Sequence, residues 1–252
     1  MTRRIPAPLI PALCLSLLGA CAAAPSTVTL SPEAGAGIKT VAIVVPPEPR
    51  KYAVVNRGHP GLALGFLGGM IVGADQDRKE SSFYQAMQFQ KFSVKAMLAL
   101  GLEKKLNAAG YRAKAVEGPW EEKDGRYVLH PEKLVTDADA ILVIVPTTAG
   151  FMSNGPTADY VPAMTAVVRL IGKDRKTELY RGLHAVGFQP RDDGWRYTPA
   201  GRSFSDFDSL MARPAESASA LAETVEAVSE SIAQDLRRPS GNLSGDRSAQ
   251  RP

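Results

Sequence analysis

The chain is poor in the residues that build disulfide frameworks and metal centres. Its 252 residues include only two cysteines and three histidines, which excludes a disulfide scaffold and a cysteine-rich zinc site. No HExxH, GxSxG or GxxxxGK(S/T) motif occurs, so signatures of zinc proteases, α/β-hydrolases and phosphate-binding loops are missing. His184 falls inside a predicted strand, where we expect it to be half exposed. We therefore expect no catalytic residue, no metal site, no cofactor and no enzymatic activity.

The chain also lacks a strong excess of charge of either sign. Lys and Arg number 30 and Asp and Glu number 26, which leaves a formal net charge of +4 over the whole length. A surplus this small and this dispersed does not make the basic surface that nucleic acid requires, so we exclude nucleic acid as a partner. Hydrophobic residues make up 44% and charged residues 22% of the chain, which are proportions typical of a globular domain.

The N-terminal segment has the form of a secretory signal. Arg3 and Arg4 precede an uncharged, mostly apolar run over residues 5–20, which is shorter than the roughly 20 apolar residues of a membrane-spanning helix. The run ends in Leu-Gly-Ala, and Cys21 follows. This ending resembles the lipobox of bacterial lipoproteins. The resemblance implies that residues 1–20 are a signal peptide and that Cys21 becomes the acylated first residue, while an ordinary signal followed by a chance cysteine is the alternative.

The lipobox resemblance also implies a location and a first partner. Lipoproteins of this type carry several acyl chains, palmitate among them, and stable membrane attachment requires more than one chain. Ala22 follows the cysteine, whereas an aspartate at that position commonly retains such proteins in the inner membrane. We therefore expect a protein anchored in the outer membrane on its periplasmic side, with membrane lipid and envelope proteins as partners.

Composition divides the rest of the chain into one domain between two polar ends. Residues 21–36 are small and polar with prolines, which predicts a flexible tether. Residues 238–252 contain one large apolar side chain, Leu243, and are predicted to be disordered. The stretch 37–237 has the length of a single domain, and we assign residues 51–82 to an insertion within it.

Hydrophobic periodicity predicts the order β-α-β-β-β-α for this domain. The run Ile141–Val145 is apolar on both faces, so it is expected to be a central strand. The predicted strands lie near 38–45, 111–116, 138–145, 160–171 and 176–188, and the predicted helices span about 83–109 and the region from Pro214 onwards. We expect an α/β protein of the α+β type, a mixed sheet with two helices packed on one face. This element order resembles the α/β domain of the TolB N-terminal and CsgG-like envelope proteins.

The predicted insertion contains an uncharged run with a glycine at every fourth position. These glycines, called here the glycine ladder, are Gly61, Gly65, Gly69 and Gly73. Four residues correspond to a rotation of about 400° around a helix axis, so on a helix the ladder glycines would line one nearly straight groove. A groove without side chains lets a second helix approach closely. The run resembles the glycine zipper of membrane-associated segments, yet it is too short to span a bilayer. Two interpretations stay open: contact with membrane or another copy of the chain, or an insertion buried against its own domain.

A second candidate surface lies between the predicted hairpin and the last helix. Residues 189–208 alternate aromatic side chains with arginines, the types that dominate binding energy at interfaces. We select Trp195, Arg196, Tyr197 and Phe204 as a partner surface. The alternative is a loop that covers the edge of the sheet and simply buries its aromatic residues.

Together these predictions favour an envelope lipoprotein that acts as a non-enzymatic binding or assembly module for protein partners. The first alternative is an assembly subunit that uses the glycine ladder to form a homo-oligomer or to insert into the membrane. The second is an enzyme acting on envelope glycan or lipid through a site that no motif reveals.

Overall fold

The computed structural model describes residues 27–58, 65–123, 126–155 and 157–237. The strands are β1 (Thr40–Val44), β2 (Ala53–Asn56), β3 (Arg112–Val116), β4 (Trp120–Lys123), β5 (Arg126–Leu129), β6 (Ala140–Ser153), β7 (Val161–Gly172), β8 (Glu178–Val186) and β9 (Trp195–Thr198). The helices are α1 (Pro32–Gly37), α2 (Gly65–Phe89), α3 (Val94–Ala108), α4 (Phe207–Ala212) and α5 (Pro214–Asp235).

Seven of these strands form one mixed sheet in the order β3-β1-β6-β7-β8-β9, and β2 pairs with the far end of β6. Four strand pairs are parallel: β1 with β3, β1 with β6, β2 with β6, and β8 with β9. Strands β6, β7 and β8 form an antiparallel meander. The predicted mixed sheet of an α+β protein is confirmed. The prediction that β6 is central is also confirmed, because it has neighbours along both edges and Ile141, Leu142 and Ile144 have no exposed surface.

The two faces of the sheet are covered differently. Alternate residues of β1 and β6 point to opposite sides, as a pleated strand requires. On one side Ile43 and Leu142 join the main core beneath the helices. On the other side Val44 and Ile141 join a smaller cluster, which the β4–β5 hairpin covers through Trp120. The expected packing of two helices on one face is confirmed for α3 and α5, and α2 adds a third helix to that layer.

Helix α5 shows why the prediction from periodicity succeeded. The helix begins at Pro214, whose fixed φ suits the first helical turn. Its predicted apolar stripe is buried against β7, β8 and α3, and consists of Leu221, Val225, Val228, Ile232 and Leu236.

The predicted helix over 83–109 is two helices. Helix α2 ends at Phe89, and Lys91 adopts a positive φ of 56° that reverses the chain before α3. The side chain of Ser93 caps α3, and Glu48 accepts hydrogen bonds from the Val94 and Lys95 amides. A carboxylate at a helix N-terminus satisfies free amides and complements the helix dipole, so a residue far away in sequence fixes the break.

The segment 51–82, expected to be an insertion, supplies part of the sheet instead. Strand β2 pairs in parallel with the end of β6, with Ala53 opposite Gly150. Gly150 has a φ of 151°, and a Cβ there would lie 2.0 Å from the Ala53 carbonyl oxygen. Only glycine permits this approach, so the pairing depends on Gly150.

The N-terminal tether also differs from expectation where it is described. Val28 exchanges two backbone hydrogen bonds with Arg181, at 2.9 and 2.8 Å, and residues 32–37 form α1 behind the cap Ser31. The second half of the segment 21–36 is therefore fixed to the sheet, because its backbone pairs with the free edge of β8. Residues 1–20, Cys21 and the tail 238–252 lie outside the described residues.

Candidate functional site

The described part of the glycine ladder lies on α2, and Gly61 lies outside the described residues. Gly65, Gly69 and Gly73 fall within a single helix, in agreement with the spacing argument. Gly73 is exposed, and among the described residues no atom beyond its chain neighbours and its own helix backbone lies within 4 Å of the position that a Cβ would occupy there. Among the described helices, none combines the length and apolar character needed to cross a membrane. At Gly73, therefore, the helix makes no close contact with the rest of the described domain.

The other half of α2 is built into the core. Phe83 and Met87 have no exposed surface. The ring of Phe83 stands edge-on to Tyr52 at 6.4 Å and to Phe151 at 5.4 Å between centroids, and Phe151 in turn stands edge-on to Phe204 at 5.4 Å. These four residues are called here the aromatic cluster. Edge-to-face pairs add about 0.5–1.5 kcal/mol each beyond their burial, so the cluster holds α2 firmly at this end.

An ion pair continues the attachment one turn towards the ladder. The side chain of Glu80 is almost fully buried, and its Oε2 lies 2.6 Å from Nζ of Lys51 beside β2. Gln76 donates a hydrogen bond to the other oxygen of Glu80 at 3.0 Å. The hydrogen bond to Glu80 is the main cause that raises the pKa of Lys51 above its ordinary value. From Phe83 back to Gly73 the helix thus passes from buried to exposed positions.

The predicted partner surface around Trp195 is an edge strand and not a loop. Residues 195–198 form β9, which pairs in parallel with Leu183–Val186 of β8. Arg196 and Tyr197 are exposed and Trp195 is half-buried. Phe204 was wrongly assigned to this surface, because it is 3% exposed and belongs to the aromatic cluster. The segment therefore covers the sheet edge, as the alternative expected, while three of the four selected residues remain at the surface.

A chain of polar side chains runs from this edge into the core. Arg196 lies 2.6 Å from Oδ1 of Asp235, and the Tyr180 hydroxyl donates to Oδ2 of the same carboxylate at 2.8 Å. Nε2 of His184 lies 2.9 Å from the Tyr180 oxygen, and Nδ1 of His184 lies 2.8 Å from Oγ of Ser231. Because the Tyr180 proton goes to Asp235, the consistent arrangement has His184 donating from Nε2 and accepting from Ser231. These residues are called here the polar chain.

Burial sets the protonation of the polar chain. His184 is 1% exposed, so the expectation that it is half exposed was wrong. Burial is the main cause that lowers the pKa of His184 to about 4, against an opposing effect of Asp235. Burial also raises the pKa of the Tyr180 hydroxyl. The histidine is therefore neutral at neutral pH. A Cβ on Gly182 would lie 1.9 Å from the Tyr180 oxygen, so this glycine leaves room for the bond between tyrosine and histidine.

Two polar cavities open near these features. One of about 550 Å³ lies between α2, β2 and α4, and its basic residues Arg78 and Lys79 both pair with Asp75, at 2.7 and 2.6 Å. The other, of about 440 Å³, is lined by residues 27–30, Arg196 and Asp235. Within the described ranges, no three His, Cys, Asp or Glu side chains are grouped closely enough to hold a metal ion.

The sequence contained a weak signal for the polar chain that motif patterns do not capture. Tyr180 and His184 are four residues apart on a strand and so share one face, while Ser231 and Asp235 are four apart on a helix and share one face. Each pair alone is common. Only the packing of α5 across β8 brings the two faces together.

Comparison with known proteins finds little that resembles this chain. No family model matches the chain, and no curated protein matches it. Among solved structures, the PelC dodecamer from Paraburkholderia phytofirmans is similar at 11% identity and a TM-score of 0.35, over 84% of this chain and 96% of that one. A single-substitution form of the same dodecamer gives 12% identity and a TM-score of 0.34 over the same shares. Likeness this low carries no argument about the function of the chain.

Proposed function

We propose that the protein is a lipid-anchored envelope protein that acts as a non-enzymatic assembly module, with the N-terminal half of α2 as its contact surface. The observation that carries this proposal is the open space around Gly73 on a helix whose other half is fixed by the aromatic cluster. Glycine costs roughly 1 kcal/mol relative to alanine in a helix. A helix that carries a run of glycines and has no close neighbour at Gly73 among the described residues is best explained by a neighbour outside the domain.

The contact that suits such a helix is another helix at short range. Without side chains in the groove, two backbones approach closely and gain dispersion contacts along their length. The run from Gly61 to Gly73 carries no charge, so no repulsion opposes contact between two copies of it. We assign self-association to this surface, and insertion of the segment into lipid is the competing outcome of the test below.

The lipid anchor is tested by removing its only candidate residue. Cys21→Ser is expected to abolish acylation and to move the protein from the membrane fraction to the soluble fraction. Fractionation together with metabolic labelling by palmitate measures both effects. Cys14→Ser is the matched control, because it leaves the lipobox intact and should keep the protein in the membrane. Unchanged acylation and retention of Cys21→Ser would refute the lipoprotein assignment.

The contact surface is tested by filling the groove at its described end. Gly73→Leu should reduce the size of the complex in mild detergent by at least about twofold, because the new side chain separates the backbones. The thermal midpoint of the domain should stay the same or rise, since removing a helical glycine stabilises by roughly 0.5–1 kcal/mol. Size comes from analytical ultracentrifugation and the midpoint from circular dichroism.

Gly201→Leu is the matched control for this test, because that glycine is also exposed with nothing within 4 Å of a Cβ position. It should change neither size nor midpoint. A lower midpoint for Gly73→Leu would indicate internal packing, and an unchanged size would mean that the groove makes no contact between copies. Either result would overturn the proposed contact surface. Protection of the segment from protease by lipid alone would favour membrane insertion over self-association.

A further inference from the structure

The N-terminal segment and β9 occupy the same edge of β8. Val28 pairs with Arg181, and β9 pairs with residues 183–186 directly beyond it. The methyl carbon of Thr27 lies 3.4 Å from the position of a Cβ on Gly194, the residue just before β9. The N-terminal segment therefore joins the folded domain beside the beginning of β9.

The length of chain before this point limits how far this edge can lie from the anchor. Thr27 is the sixth residue after Cys21, and a fully extended chain spans at most about 3.3–3.6 Å per residue. The α-carbon of Thr27, which lies beside the beginning of β9, is therefore within about 22 Å of the α-carbon of Cys21. A domain of about 200 residues has a radius of gyration of roughly 16 Å and is some 40 Å across. If Cys21 carries the lipid of the proposed function, this edge must face the bilayer and the β3 edge must face away.

The side chains at this edge are those that favour a membrane–water interface. Tyr197 is 39% exposed and ranks among the large hydrophobic side chains at the surface. Trp195 is half-buried beside it on the same strand face, because residues two apart in a strand share a face. Arg196 points to the other face, where it pairs with Asp235. Tryptophan and tyrosine combine an apolar ring with a polar atom and are enriched at the level of the lipid headgroups.

The charged side chains at this edge favour zwitterionic headgroups, and not anionic lipid, as the ligand. Arg191 is exposed, but the exposed Asp192 and Asp193 follow it directly. The positive charge of Arg196 is offset by its pairing with Asp235. Attraction to an anionic surface needs several uncompensated basic residues, and this edge does not supply them. The aromatic rings, held close by the short linker, are the groups that would make the contact.

We propose that the edge formed by β9 and residues 27–28 rests on the headgroup region of the bilayer, with Trp195 and Tyr197 as the contacting side chains. This inference rests on the proposed lipid anchor and assigns membrane lipid as the occupant of the surface around Trp195. It also fixes the orientation of the domain, because β3 and the β4–β5 hairpin lie towards the opposite end of the sheet.

The chain carries its own pair of probes for this orientation, since its two tryptophans lie at different ends of the sheet. Trp195 belongs to β9, and Trp120 packs on the hairpin side with its Nε1 donating to the Val45 carbonyl at 3.1 Å. Full-length, lipidated Trp120→Phe retains only Trp195, and Trp195→Phe retains only Trp120. Both are incorporated into phosphatidylcholine vesicles that contain lipids with a quencher at the headgroup.

The expected result is quenching of Trp195 that is at least roughly threefold stronger than that of Trp120, because only Trp195 is at headgroup level. The ratio should change little up to about 0.5 M salt, since the contact does not depend on screened charges. Equal quenching of the two residues would overturn the inference, and so would a ratio that collapses in salt. If Trp120→Phe does not fold, the difference between wild type and Trp195→Phe gives the quenching of Trp195.

Flotation of the same vesicles separates failure of the inference from failure of the proposed function. Chains that float, with lipid on Cys21, and show equal quenching refute the orientation alone. Chains that do not float, and carry no lipid, refute the anchor itself, and the orientation with it.

Discussion

The helical layer is held to the sheet in two different ways at α2 and at α5. Beneath α2 the aromatic cluster makes edge-to-face contacts between rings without a hydrogen bond among them. Beneath α5 the polar chain adds directional bonds among Tyr180, His184, Ser231 and Asp235. Apolar contacts stabilise through area and shape, whereas a buried polar network stabilises only while every group keeps its partner and its protonation state. The contribution of the ring contacts in the aromatic cluster should therefore be insensitive to pH, and the contribution of the polar chain should not.

The largest effect is expected from breaking the aromatic cluster. Phe83→Ala removes a fully buried ring between Tyr52 and Phe151 and should lower the free energy of unfolding by about 3–5 kcal/mol. Urea denaturation followed by circular dichroism measures the change. The loss should be the same at pH 7 and pH 5, because no titratable group is lost with the ring.

Phe89→Ala is the matched control on the same helix, because Phe89 is 84% exposed. Its effect should stay within about 0.5 kcal/mol. Equal losses for the two variants would mean that α2 does not pack on the cluster as described, and the contrast between the two attachments would disappear.

A smaller effect is expected from titrating the polar chain. Burial lowers the pKa of His184 from 6.5 to about 4, so between these pH values the unfolded chain binds a proton that the folded chain does not. The stability contributed by neutral His184 is complete above about pH 6.5 and is lost as the pH falls towards 4. The difference between the two pKa values corresponds to about 3 kcal/mol. Urea denaturation at several pH values between 7 and 4 measures the decline.

One variant sharpens this second prediction. His184→Gln cannot titrate, so its stability should change little between pH 7 and pH 4.5, although it starts lower than wild type. The carboxylate of Asp139, whose pKa is lowered to about 2 by hydrogen bonds from the Lys39 and Thr40 amides, loses its contribution only below about pH 4. Equal slopes in wild type and His184→Gln would refute the role of His184.

The sequence predicted best where a local pattern repeats over several turns or along a whole strand. The run in β6 is apolar throughout because both of its faces are buried, and the stripe on α5 repeats the helical period along its buried face, so the local pattern sufficed in each case. The ladder spacing left a helix or a hairpin open, and the structure places Gly65, Gly69 and Gly73 on a helix. By contrast, the break at Lys91 was missed, because it depends on Glu48 reaching across from another part of the chain to cap α3.

By itself, then, the sequence determined the mixed sheet, its central strand and the helices on one face, because hydrophobic period is a local property of the chain. It also carries the resemblance to a lipobox, which stays a prediction, and the ladder spacing, and both are read from neighbouring residues alone. The tertiary structure decided that β2 joins the sheet, that Phe204 is core and that His184 is buried. It also decided that the N-terminal segment meets β9 on one strand edge. Each of these features depends on which residues, distant in sequence, lie against the strand edge or the side chain. A strand edge or a single aromatic residue can pack against many partners, and only the complete fold determines which one it meets.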